Sequence, residues 1–175
     1  PNHNGYYYLS TTTWSTTMTM RRSRTLAGLA TATDQTIWVG DAANRGYNMW
    51  APELRRLTGP NGTRWYYMFT AGRQSDLNLQ HLVVLESAGD DPMGPYTFKS
   101  EPQGTAWNID GQYLEYNGSL YLAVLGLERR LPGALFVRRM SNPWTVTGSA
   151  VQISTPTLSV GAGRGQRQRG SVGAP

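Results

Sequence analysis

The sequence predicts an all-β protein assembled from repeated antiparallel sheets, and three observations carry that prediction. Asn-Gly pairs stand at 4–5, 61–62 and 117–118, so they recur after 57 and then 56 residues. Each is followed by a strand-like run: Tyr-Tyr-Tyr-Leu at 6–9, Trp-Tyr-Tyr-Met-Phe at 65–69 and Leu-Tyr-Leu-Ala-Val at 120–124. Asn-Gly is the favoured type I′ hairpin pair, because both residues accept positive φ. No segment shows a convincing helical period. The stretch 76–85 can be misread as one, but Leu-Val-Val-Leu at 82–85 favours a buried strand. Strand-built repeats of this length suggest propeller blades rather than helical solenoid units.

The third repeat is the most explicit. Polar and apolar residues alternate over 112–116, Asn117-Gly118 makes the turn, and a second strand runs over 119–124. A carboxylate, Asp110, stands just ahead of the first strand between Ile109 and Gly111. Further strands fall at 134–140, with a closing segment at 142–148. The second repeat opens with Tyr-Asn-Met-Trp-Ala-Pro-Glu-Leu at 47–54, which puts Glu53 in the corresponding place. Its strands follow at 65–69 and 81–86, and 92–98 closes it. In the first repeat, Asn4-Gly5 is preceded by Pro1, Asn2 and His3 alone, so its partner strand is expected to be cut away. Strands at 6–12 and 17–23, a turn at 25–29 and an outer strand at 36–39 complete it. These limits give blades of about 1–46, 47–106 and 107–159. Propellers have at least four blades, so the chain is expected to be part of a longer protein.

Composition narrows the function. Apolar residues make up 39% and charged residues 15% of the 175, and Tyr and Trp outnumber Phe. That suits aromatic surfaces for flat ligands such as sugars, although Tyr and Trp also favour strands for their own sake. Without cysteine, disulfides say nothing of the compartment. No apolar run reaches the ~20 residues of a membrane-spanning helix, so no membrane partner is expected. The net charge of +5 falls to +2 without Arg164, Arg167 and Arg169, so the fold itself gives no reason to expect nucleic acid. His3 and His81 lack metal-ligand spacing. The sequence gives no oligomeric state.

Several motifs together carry a family resemblance. Asn-Gly-Tyr-Tyr-Tyr-Leu at 4–9, Arg-Arg-Ser-Arg-Thr-Leu-Ala-Gly-Leu at 21–29, Met-Trp-Ala-Pro-Glu-Leu at 49–54, Ile-Asp-Gly at 109–111 and Met-Ser-Asn-Pro-Trp-Thr-Val-Thr-Gly at 140–148 appear in that order. In order and spacing they resemble glycoside hydrolase family 43, and within it the exo-acting α-L-arabinofuranosidase branch. The resemblance covers about 1–159. It implies a five-bladed β-propeller, about three blades of which are present, with the active site at one end of the central channel. It also implies inverting hydrolysis of arabinofuranosyl or xylosyl linkages, an arabinose-containing polysaccharide or oligosaccharide as partner, and secretion; no cofactor or metal is expected from the residues. Such an enzyme needs a general base, a general acid and a third carboxylate that raises the acid's pKa. An inverting pair stands ~6.5–9.5 Å apart to admit water. Asp110 matches the family's third carboxylate, which disfavours ionisation of the acid and keeps it protonated. The competing reading is an Asp capping a turn. Trp50, Glu53 and Trp107 are the candidate substrate-binding residues, Glu53 in a supporting role. Blade packing is the competing reading of both tryptophans.

The chain departs from the family at both ends. The general base is expected ahead of Pro1 and the general acid after Ser159, so neither is expected in this chain, which should be inactive by itself. A non-catalytic carbohydrate-binding propeller is the alternative. Residues 160–175 form an anomalous Gly/Arg-rich tail, either disordered or frame-shifted. Gln-Arg-Gln-Arg-Gly-Ser at 166–171 can be encoded so that a one-base shift reads Asn-Val-Asn-Glu-Gly-Pro, the acid's expected motif. A natural disordered tail with weak affinity for nucleic acid is the competing view.

Overall fold

A computed structural model describes residues 1–41, 45–126 and 133–155. The tail at 160–175, its proposed frame shift and the blade limit at 159 lie outside the described residues. The rest is all-β, in three four-stranded antiparallel meanders. The first comprises β1 (Asn2–His3), β2 (Tyr6–Leu9), β3 (Thr17–Ser23) and β4 (Gln35–Val39). The second comprises β5 (Tyr47–Gly59), β6 (Gly62–Arg73), β7 (Asp76–Ser87) and β8 (Tyr96–Ser100). The third comprises β9 (Ile109–Tyr116), β10 (Ser119–Leu125), β11 (Leu135–Asn142) and β12 (Thr145–Ser154). The turn expected at 25–29 takes the form of a 3-10 turn at Ala27–Ala30.

Two turn expectations need correction. The strand ahead of Asn4 is not absent: Asn2 and His3 pair with Tyr7 and Tyr6. Asn4 (φ 49) and Gly5 (φ 74) form the two-residue loop between them, as Asn117 (φ 48) and Gly118 (φ 70) do between Tyr116 and Ser119. The middle Asn-Gly is not equivalent. There Gly59 pairs with Gly62, so the loop is Pro60-Asn61, and positive φ falls on Gly62 (φ 84) alone. Proline's ring holds φ near −65°, so a type I′ turn cannot start at Pro60.

The middle sheet is packed on both faces, which explains its nearly continuous apolar strands. One face sets Trp65, Tyr67, Phe69, Val83 and Leu85 against Tyr8, Met18 and Met20 of the first sheet. The alternate residues Tyr66, Met68, Leu82 and Val84 face Tyr113, Leu122, Val124, Phe136 and Met140 of the third. A strand covered on both sides loses the polar alternation of a half-exposed one. The outer sheets keep it: Met18 and Met20 are buried while the residues between and beside them are partly open. The far side of the third sheet leaves Leu114, Tyr116, Val151 and Ile153 exposed.

At Gly111 the backbone of the third sheet lies directly against side chains of the second. A Cβ there would collide with Leu82 Cδ1 and lie 2.7 Å from Met68 Sδ, both side chains being fully buried. Gly111→Ala is therefore expected to cost about 1–3 kcal/mol through overpacking. The check is a lower midpoint in thermal or urea unfolding followed by circular dichroism, with Gly89→Ala, where nothing lies within 4 Å, as the neutral control.

Candidate active site

Asp110 owes its place to a bulge at the start of β9. Ile109 pairs with Leu125 and Gln112 with Ala123, so Asp110 and Gly111 together oppose Val124. Asp110 takes φ 55, a left-handed conformation that Asp tolerates better than most residues. Its backbone N–H donates to Thr70 Oγ1 on β6 at 3.3 Å. The side chain is open to solvent, yet the surrounding protein desolvates it enough to push its carboxyl above the usual aspartate range. The approach to β9 is held by Asn108, which is fully buried. Asn108 N donates to Gln80 O at 3.1 Å, and its Oδ1 accepts from Leu82 N at 3.0 Å.

Trp50 lies opposite Thr70 in the β5–β6 ladder, so the same threonine lies beside both Trp50 and Asp110. Bulges flank Trp50 on both sides, between its pairing and those of Tyr47 and Glu53. Its indole packs on Trp14, with ring centroids 4.8 Å apart. Trp14 comes from the loop after β2, which is pinned to β5 by two hydrogen bonds. Thr13 N donates to Met49 O and Ala51 N donates to Thr12 Oγ1, both at 3.1 Å. Trp14 is 59% exposed, whereas Trp50 is partly buried and its Nε1 has no hydrogen-bond partner.

Backbone strain marks the same place. Among the described residues, non-glycine positive φ occurs at Asn4 and Asn117 in hairpin loops and at Trp14, Asn48, Ala51 and Asp110. Asn48 and Ala51 flank Trp50 in β5, Trp14 packs on it, and Asp110 shares its threonine. A left-handed L-residue costs roughly 1–2 kcal/mol, most for side chains such as Trp and Ala that cannot bond locally. Strain of this kind gathers at functional sites, where surrounding structure holds it in place.

Glu53 and Trp107 are engaged with the protein. The Glu53 side chain is 18% exposed, and its Oε2 accepts from Tyr113 N at 2.7 Å. Burial lifts its carboxyl above the usual range against the opposing pull of that N–H and of Arg55, whose Nη1 is 3.8 Å from Oε1. Trp107 Nε1 donates to Leu77 O at 3.2 Å, and the ring covers the bare Cα of Gly126. The structure thus brings Trp50, Glu53 and Asp110 to the crossing of β5, β6 and β9, and sets Trp107 among packing contacts. Trp14, Thr70 and Asn108 are absent from the sequence-based site. Only Trp14 offered a signal, as a lone aromatic in a Ser/Thr-rich loop.

Among the described residues, no group of three or more His, Asp or Glu side chains could hold a metal ion.

Comparison with known proteins sets this geometry in context. The extracellular exo-α-(1→5)-L-arabinofuranosidase of Streptomyces avermitilis is 36% identical over 165 residues, 89% of this chain and 33% of that protein. The protein of the same description from Streptomyces chartreusis is 37% identical over 164 residues, 86% of this chain and 47% of its own length. The chain thus spans a third to about half of these curated relatives. The crystal structure of α-L-arabinofuranosidase from Lactobacillus brevis superposes with a TM-score of 0.78 at 24% identity, over 90% of this chain and 52% of that one. That likeness identifies the fold. Residues 2–166 match glycosyl hydrolases family 43, a reach that passes Ser159, where the resemblance read from motifs stops. Over nearly its whole described length, the chain belongs to glycosyl hydrolases family 43.

Proposed function

We propose that this chain is the part of an inverting, secreted exo-α-L-arabinofuranosidase that carries the carboxylate tuning the general acid. Asp110 is that carboxylate, and the general base and general acid come from outside the described residues. The substrate is an arabinose-containing polysaccharide or oligosaccharide of plant cell walls. The three sheets are blades of a five-bladed propeller, with limits near 1–46, 47–106 and 107–159. What supports the reading is the convergence of Trp50 and Asp110 on Thr70 within a ring of strained backbone. The two Streptomyces relatives supply the substrate class and the extracellular setting. Desolvation lifts the Asp110 carboxyl above the usual aspartate range, and in its ionised form Asp110 would disfavour ionisation of a neighbouring acid.

Trp50 and Trp14 form the wall on which the sugar rests. The test is a chimera in which residues 2–155 replace the matching segment of the Streptomyces chartreusis relative. It should release nitrophenol from 4-nitrophenyl α-L-arabinofuranoside and far less from 4-nitrophenyl β-D-xyloside. Equal turnover of both, or of neither, would overturn the substrate assignment. Within that chimera, Trp50→Ala is expected to raise KM roughly 10-fold, since an aromatic contact contributes about 0.5–1.5 kcal/mol beyond its buried area. Trp50→Phe should recover most of it in steady-state kinetics.

A further inference from the structure

We infer that Glu53 is a positioning residue that latches β9 to β5 and thereby sets the place of Asp110, and does not itself contact sugar. The inference rests on the reading of Asp110 above. β9 is an edge strand, hydrogen-bonded to β10 on one side only. Its free edge would leave inward N–H groups without partners, which is costly away from water. The second sheet supplies side chains in place of a neighbouring strand. Glu53 Oε2 takes the N–H of Tyr113 at 2.7 Å, and Thr70 Oγ1 takes that of Asp110 at 3.3 Å. Two residues along each strand the grip repeats, with Arg55 Nη2 3.4 Å from Glu115 Oε2. Between the two N–H anchors, Gly111 lies directly on Leu82 and Met68. Residues 110, 111 and 113 are therefore fixed by the second sheet, while pairing with β10 is interrupted by the bulge at 110–111.

Glu53 suits this role better than sugar binding. One of its oxygens is engaged by Tyr113 and the other faces Arg55, on a side chain that is mostly covered. A carboxylate bond to a backbone N–H is charge-assisted and roughly twice as strong as a neutral one. Its loss frees the β9 edge three residues from Asp110, in the segment whose left-handed turn depends on outside support.

The experiment uses the 175-residue chain without substrate. Amide hydrogen exchange at Tyr113 and the carboxyl ¹³C titration of Asp110 are followed by NMR in Glu53→Gln, Glu53→Ala and Glu53→Asp. Gln keeps the length and a neutral acceptor, so both readouts should stay closer to the parent than in Ala. Ala should speed Tyr113 exchange by at least roughly 10-fold, the equivalent of one lost hydrogen bond, and move the Asp110 titration down toward ordinary aspartate as its surroundings open. Should Ala fail to fold, Asp carries the same test. It keeps the charge but falls one methylene short, and is expected to behave as Ala does. An unchanged Asp110 titration in folded Ala or Asp variants overturns the inference. So does an equal shift in Gln and Ala, which would make the effect one of charge. Because no substrate is added, this outcome is independent of whether Asp110 serves catalysis, which is decided by turnover in the chimera.

Discussion

Asp110→Asn in the chimera is expected to cut kcat by on the order of 10²-fold or more while leaving the unfolding midpoint close to the parent's. A positioned acid–base group is worth typically ~10²–10⁴-fold, and a residue that keeps the acid protonated controls how much of that is realised. Asparagine is isosteric and can keep the left-handed backbone, so the bond from its N–H to Thr70 and the bulge opposite Val124 should survive. The charge alone is removed. In the proposed role, the negative charge of Asp110 disfavours ionisation of the general acid and so raises that acid's pKa. Without it the acid ionises at lower pH, and the alkaline limb of the kcat/KM profile should move to lower pH. A loss of kcat with an unmoved alkaline limb would make Asp110 a scaffold. Undiminished turnover would remove it from the chemistry.

Much of this fold was legible because local and global preferences agree. Asn4-Gly5 and Asn117-Gly118 make the tight turns their residue types favour. The apolar runs at 65–69 and 82–85 lie in strands covered on both faces, which such continuous runs require. Asn61-Gly62 misled because the loop is set one residue upstream, as Pro60-Asn61, and Pro60 cannot take the positive φ that a type I′ turn needs at its first position. The site was legible only in part, for a related reason. Asp110 and Trp50 stand in motifs with recognisable neighbours. Thr70 sits in the middle of an apolar strand and owes its importance to what crosses over it. Ala51 carries φ 44 with no side chain to advertise it, since the hydrogen bond from its N–H to Thr12 and the surrounding packing impose that conformation. Glu53 was legible as a carboxylate in the right repeat position, but its direction toward Tyr113 depends on the bulges between Trp50 and Glu53.

Glu86→Ala is expected to destabilise the fold more than Gly111→Ala, because it leaves the buried Tyr66 hydroxyl and the mostly covered Lys99 ammonium without their shared acceptor. Glu86 on β7 is 5% exposed and gathers three donors. Tyr66 OH reaches it at 2.7 Å, Asn61 Nδ2 at 2.9 Å and Lys99 Nζ at 3.0 Å. The cluster also ties the second sheet to the third. Lys99 lies over the Trp144 ring, 4.2 Å from its centroid, and Ser100 Oγ donates to Trp144 O at 2.6 Å. The substitution strands a buried phenol and a mostly covered ammonium, and breaking a charge pair of this kind costs up to about 3–5 kcal/mol. For a chain of this size that corresponds to a fall in melting temperature on the order of 10 °C. The pH dependence follows from the carboxyl's shift. Burial works to raise its pKa, but the bonds from Tyr66, Asn61 and Lys99 outweigh burial and hold it below the usual glutamate range. A group with a lowered folded-state pKa stabilises fully above its unfolded pKa, about 4.3 for Glu, and loses that contribution as pH falls through the folded value. The gap in melting temperature between parent and Glu86→Ala should therefore be widest near neutral pH and shrink below about pH 4. Calorimetry across pH 3–7 measures it, and a gap that stays constant over that range would show that the ionised carboxylate is not what holds the two sheets together.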